Sequence, residues 1–108
     1  MIAVIDYGLG NLESVKYALD RLGRASELTR DPQRIASAAG VILPGVGAFG
    51  WAMEKFREMD LLAPTREAAR SHKPFMGICL GQQLLLSVSE EHGTHEGLDI
   101  IPGKVVRF

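Results

Sequence analysis

Residues 75–85 read Phe-Met-Gly-Ile-Cys-Leu-Gly-Gln-Gln-Leu-Leu and change character at Cys79. Residues 74–78 are short and apolar, as a buried strand requires, whereas Leu80 and Leu84 recur at helical spacing and predict a helix from residue 80 to about residue 88. Cys79 is the only cysteine of the chain and stands between Gly77 and Gly81. The spacing is that of a nucleophile elbow, where a strand turns sharply into a helix and presents its middle residue at the turn. Strand and helix then approach so closely that only hydrogen fits two positions to either side, which accounts for both glycines.

The same order of strand, loop and helix recurs upstream. Residues 2–6 form a β-branched, apolar run, followed by a turn at Gly8-Leu9-Gly10 and by Leu12, Val15, Leu19 and Leu22 at helical spacing. Residues 25–29 predict a second strand, and Asp31-Pro32 reads as an N-cap with proline at the first helical position, opening a short helix toward residue 39. Residues 41–43 predict a third strand, and the glycine-rich loop 44–50 precedes Ala52, Phe56 and Met59 on one helical face. Pro64 predicts the start of a further helix, and Pro102-Gly103 a turn before a strand at residues 104–108. Met76, Leu84 and Leu85 are expected in the core. Alternation of this kind predicts an α/β fold, a parallel sheet with helices on both faces. Ligands bind such sheets at the carboxyl ends of the strands, where loops 7–11 and 44–50 and the turn at Cys79 would meet.

Composition narrows the function. With 108 residues, 46% apolar and 23% charged, the chain has the size and balance of one globular domain. Its net charge of −1, with Lys and Arg scattered, excludes the basic footprint of a nucleic-acid or membrane-surface binder. A single cysteine forms no internal disulfide, and residues 1–8 contain no basic region leading into a long apolar segment, so a cytoplasmic protein is expected. No apolar stretch approaches the roughly 18 residues that span a bilayer.

Neither glycine loop is a phosphate loop. Gly8-x-Gly10 begins like a dinucleotide fingerprint, but the third glycine is replaced by Glu13, whose carboxylate would repel a pyrophosphate. Gly45 and Gly50 have phosphate-loop spacing, yet Trp51-Ala52 stands where Lys-Ser/Thr is needed. Glycines at 8 and 10, and Asn11, are equally consistent with a tight turn and a helix N-cap.

The chemistry therefore rests on the thiol. A free thiol is mostly protonated at neutral pH and needs activation to attack an amide. A helix amino terminus contributes about 0.3 to 1 kcal/mol toward the thiolate, which leaves most of the task to a base and a group that orients it. His72 precedes the fourth strand, at the end opposite the elbow, and His92 and His95 lie in a polar connection, so none has an evident place beside Cys79. Two histidines three apart with a distant cysteine do not amount to a metal-ligand set, and no metal is expected.

Four stretches taken together carry a resemblance: Asp6-Tyr7-Gly8-x-Gly10-Asn11, Pro44-Gly45-Val46-Gly47-x-Phe49-Gly50, Gly77-Ile78-Cys79-Leu80-Gly81-x-Gln83-Leu84-Leu85 and Gly97-Leu98-x-Ile100-x-Pro102-Gly103-x-Val105. In this order they resemble the glutaminase subunits of imidazole glycerol phosphate synthases, class I glutamine amidotransferases of histidine biosynthesis with a flavodoxin-like fold. The resemblance covers the whole chain but only the amino-terminal half of the family's domain, whose catalytic His-x-Glu pair belongs to the second half. It implies that residues 1–108 are an incomplete domain, truncated, cleaved or excised, and that this chain alone is inactive.

Residue by residue, the resemblance makes Cys79 the nucleophile that forms a glutamyl thioester. It makes the backbone N–H of Leu80 one oxyanion donor and that of Val46 or Gly47 the other, on a peptide that reorients when the partner's ligand binds. Gln83 and Glu91 would hold the glutamine substrate, although an exposed helix residue and a solvated charge beside Glu90 are their plain readings. Asn11 would face the cyclase subunit, the partner that receives ammonia and builds imidazole glycerol phosphate; no cofactor is implied. Two other readings of the residues remain open, another elbow-cysteine hydrolase of the DJ-1-like kind and a non-enzymatic flavodoxin-like fragment for interaction or folding.

Overall fold

The expected repeat of strand, loop and helix is present in a computed structural model, which describes residues 1–8 and 12–107. In chain order the first elements are β1 (Ile2–Ile5), α1 (Glu13–Arg21), β2 (Ser26–Thr29), α2 (Pro32–Ser37), β3 (Gly40–Leu43), α3 (Phe49–Glu58), α4 (Leu62–Arg70) and β4 (Phe75–Gly77). The four strands form one sheet in the order β2-β1-β3-β4, and every pair is parallel.

Local chemistry explains the helix boundaries. Asp31 caps α2 by accepting from the Gln33 N–H at 2.9 Å, with Pro32 at the first helical position, as expected. At the end of α1, Gly23 takes φ 72° while its N–H bonds the Asp20 carbonyl and the Arg24 N–H bonds that of Leu19, a Schellman closure. The helix therefore stops at Arg21, and Leu22, expected on the apolar face, is 73% exposed. The helix expected to begin at Pro64 begins at Leu62, with the proline inside the first turn, where a missing N–H costs nothing.

β1 buries Ala3, Val4 and Ile5 in succession, so both of its faces are covered. Ala3, Ile5, Val41 and Leu43 point into the main core with Ile35, Phe49, Met53 and Phe56 from the helices. Val4 lies on the opposite face, in one row with Ile42 and Met76. Along that row cover runs out: Val4 is fully buried, whereas Met76 is 59% exposed. Met76 was expected in the core, but β4 is the last strand of its sheet and its outward side chain meets nothing that buries it.

After the elbow the fold departs further from expectation. The helix α5 (Leu80–Leu84) has five residues and does not reach residue 88. The chain turns instead into β5 (Leu86–Ser89), whose serines and valine are weak helix formers. β5 pairs antiparallel with β6 (His95–Glu96) and parallel with β7 (Ile101–Val105), a second, mixed sheet in the order β6-β5-β7. Pro102 and Gly103 lie inside β7 rather than in a turn before it. An edge strand tolerates proline, and the register shifts between Leu86 and Val88 opposite this pair. No helix among the described residues is long and apolar enough to cross a membrane.

Candidate active site

Cys79 is exposed and sits at the junction of β4 and α5 with φ 53° and ψ −119°, a backbone conformation that a non-glycine residue adopts only under strain, about 1–3 kcal/mol. The surrounding contacts hold it there. A side-chain carbon at Gly77 would fall 2.8 Å from the backbone of Gln82, and one at Gly81 would enter the carbonyl of Leu43. The steric reading, strand against its own helix, holds for Gly77, whereas Gly81 is required by the end of the neighbouring strand β3; both obstacles are backbone atoms, which cannot rotate aside.

The amides of the first turn of α5 are all engaged. Gly81 N–H donates to Ile78 O at 2.9 Å, while Gln82 and Gln83 N–H donate to Cys79 O at 3.0 and 3.3 Å. Leu80 N–H donates to Gly45 O at 3.0 Å. As the chain is arranged here, an oxyanion would reach the Leu80 amide only by exchanging with that carbonyl. With five residues, α5 also aligns fewer peptide dipoles toward the thiol than the longer helix expected from the sequence.

The 44–47 loop has two different halves. Pro44 and Gly45 are buried; Pro44 O accepts from the Tyr7 hydroxyl at 2.7 Å and Gly45 O from Leu80. A side-chain carbon at Gly45 would lie 2.5 Å from the Tyr7 oxygen and 2.9 Å from both Gly81 N and Leu80 Cβ. Gly45 is therefore required for close packing. Val46 is 66% exposed, and Gly47 has φ 100° with open space around it, so glycine there serves conformation alone. Neither residue makes a backbone hydrogen bond among the described residues.

Tyr7 was not singled out from the sequence. Its ring is fully buried, 4.7 Å from Phe56 and 6.4 Å from Trp51 between centroids, and burial pushes its phenol above the ordinary tyrosine range, so it remains a donor at neutral pH. An aromatic residue just past the first strand, beside a glycine-rich loop, was the available signal. Next to it, the Asp6 carboxylate accepts from Gly8 N–H at 3.1 Å and from Arg30 at 3.2 Å, holding the start of loop 7–11.

The remaining candidates divide. Gln83 is half-buried on α5, one turn beyond Cys79. Glu91, half-buried, has its N–H on Ser89 Oγ at 3.3 Å and lines a cavity of about 470 Å³ with Trp51, Glu54, Arg57, His92 and His95. Cys79 and Gln83 do not line that cavity. The His95 ring lies flat against Gly50 at the start of α3, where a side-chain carbon would meet it at 2.7 Å, and its Nε2 is 2.9 Å from His92 O. No imidazole hydrogen-bonds the thiol among the described residues. Asn11 lies outside the described residues.

Residues 3–106 match a family model described as glutamine amidotransferase class-I. A protein of Moorella thermoacetica named imidazole glycerol phosphate synthase subunit HisH is 58% identical over 107 residues, covering 99% of this chain and 51% of its own length. Proteins of the same name from Desulfitobacterium hafniense (51% identical; 100% of this chain, 51% of that protein) and Synechococcus elongatus (52% identical; 99% and 49%) are similar over the same span. The chain spans about half the length of the curated relatives it matches. A solved structure described as a crystal structure of glutamine amidotransferase shares the fold with a TM-score of 0.79 at 20% identity, over 99% of this chain and 57% of that one.

Proposed function

The chain belongs to the class-I glutamine amidotransferase family, and from that premise we propose that it is the amino-terminal half of a glutaminase in which Cys79 attacks the side-chain amide of glutamine. The observation that carries this reading is the exposed thiol at φ 53°, with the next amide hydrogen-bonded to the 44–47 loop. A thiol so held can reach a carbonyl whose developing negative charge falls among main-chain amides.

The sulfur–carbon bond forms as the carbonyl electrons move onto oxygen. The tetrahedral adduct collapses to a glutamyl thioester and ammonia, the nitrogen leaving with a proton from a general acid. Water then attacks the thioester, releasing glutamate and restoring the thiol. The base that serves both steps, and the carboxylate that orients it, belong in this proposal to the other half of the polypeptide. Leu80 and either Val46 or Gly47 bind the oxyanion, and Gln83 and Glu91 hold the amino-acid end of glutamine. Ammonia passes to a cyclase subunit, contacted near Asn11 in a heterodimer, for synthesis of imidazole glycerol phosphate. The names of the similar proteins support this assignment. A cytoplasmic location suits a free, exposed cysteine, which an oxidising compartment would not keep reduced.

The test uses the complete polypeptide assembled with its cyclase. An electrophilic glutamine analogue should modify Cys79, and Cys79→Ala should abolish ammonia release. Retained activity in Cys79→Ala overturns the reading. Residues 1–108 alone should show negligible turnover; a rate matching the complete enzyme would overturn the assignment of base and orienting carboxylate to the other half.

A further inference from the structure

We propose that Tyr7 is a positioning residue for the oxyanion loop: its hydroxyl holds the Pro44 carbonyl and fixes the root of residues 44–47, so that reorientation is confined to the peptides beyond Pro44, beginning with the Gly45 carbonyl that must leave the Leu80 N–H. This role rests on the amidotransferase reading of Cys79. Two successive carbonyls are held, Pro44 O by Tyr7 and Gly45 O by Leu80 N–H; the second bond must open to free the Leu80 amide while the first can stay, and Val46 and Gly47 have no backbone partners among the described residues. The change from buried to exposed falls between Gly45 and Val46.

Tyr7 is suited to this task. Its ring packs against Phe56 of α3, and the position is fully buried, so the hydroxyl is directed by the core rather than by solvent. Its oxygen also occupies the space that any side chain at Gly45 would need, which keeps the two segments in contact. One hydroxyl thus joins the carboxyl ends of β1 and β3 beside the elbow of β4. An oxyanion donor works only when its N–H points at the charge that forms in the transition state, so a loop root displaced by a fraction of an ångström weakens turnover more than substrate binding.

The measurement compares unsubstituted protein and Tyr7→Phe in the complete polypeptide assembled with its cyclase. The substitution should lower kcat for glutamine hydrolysis about tenfold while KM and the rate of Cys79 alkylation by iodoacetamide stay within about twofold, the split expected for an interaction made in the transition state. A purely structural tyrosine would not separate kcat from KM. If the unsubstituted protein shows Cys79-dependent glutaminase and Tyr7→Phe retains its kcat, the positioning role falls and the amidotransferase reading stands. If the unsubstituted protein has no such activity, both fall. Should Tyr7→Phe not fold, nuclear magnetic resonance of the unsubstituted protein decides. A slowly exchanging Tyr7 hydroxyl proton close to Pro44, with fast amide exchange at Val46 and Gly47, supports the role; a freely exchanging hydroxyl overturns it.

Discussion

At Gly81 the elbow presses against the end of β3, and a methyl group there would be driven into the Leu43 carbonyl. Gly81→Ala should therefore destabilise the fold by about 3 kcal/mol or more, because main chain must move to admit it. Gly47→Ala meets no atom and carries only the cost of a left-handed backbone, about 1–2 kcal/mol. Urea unfolding midpoints of the two variants check the contrast, and equal losses would contradict it. Tyr7 makes a separate prediction. Burial raises its folded-state pKa above the unfolded value, so the folded form keeps a proton that the unfolded form releases. Stability from this group is complete below the ordinary tyrosine pKa of about 10 and is lost as pH rises beyond it. Alkaline titration followed by phenolate absorbance should show a step that coincides with unfolding and is missing in Tyr7→Phe.

Elements with strong local signals were legible in the sequence. Asp31-Pro32 marked the start of α2 because a carboxylate and a fixed φ act within one turn, and Asp31→Ala should cost about 1 kcal/mol by urea unfolding. The elbow was equally legible, since the strand and helix signals meet at Cys79 and Gly77 answers to its own helix, although Gly81 answers to Leu43 of the distant β3. The end of α5 was not. Residues 80–88 are compatible with a helix, but the N–H groups of Ile100 and Ile101 take Leu85 O, and β7 recruits Leu86, Val88 and Ser89. Those partners lie more than ten residues downstream, beyond the reach of any periodicity argument. Pro102 and Gly103 were misread for a related reason: their turn-like chemistry is absorbed by an edge strand with a shifted register.

Over the whole molecule the main asymmetry is the uncovered side of β4. An edge strand with an exposed methionine offers unpaired main-chain groups and apolar surface on which another segment or chain can pack. For residues 1–108 alone, Met76→Lys should reduce the light-scattering mass of concentrated solutions toward that of a monomer; an unchanged mass would show that association, if any, occurs elsewhere. The sequence by itself determined the parallel order of strands and helices, the α2 cap, and a lone thiol on a glycine-flanked elbow, because each depends on residues close in the chain. Only tertiary structure decided that Leu80 N–H is held by Gly45, that Tyr7 grips Pro44, and that Met76 faces outward. Each of these depends on which distant backbone or side chain arrives at the position, and on how far the sheet extends past it.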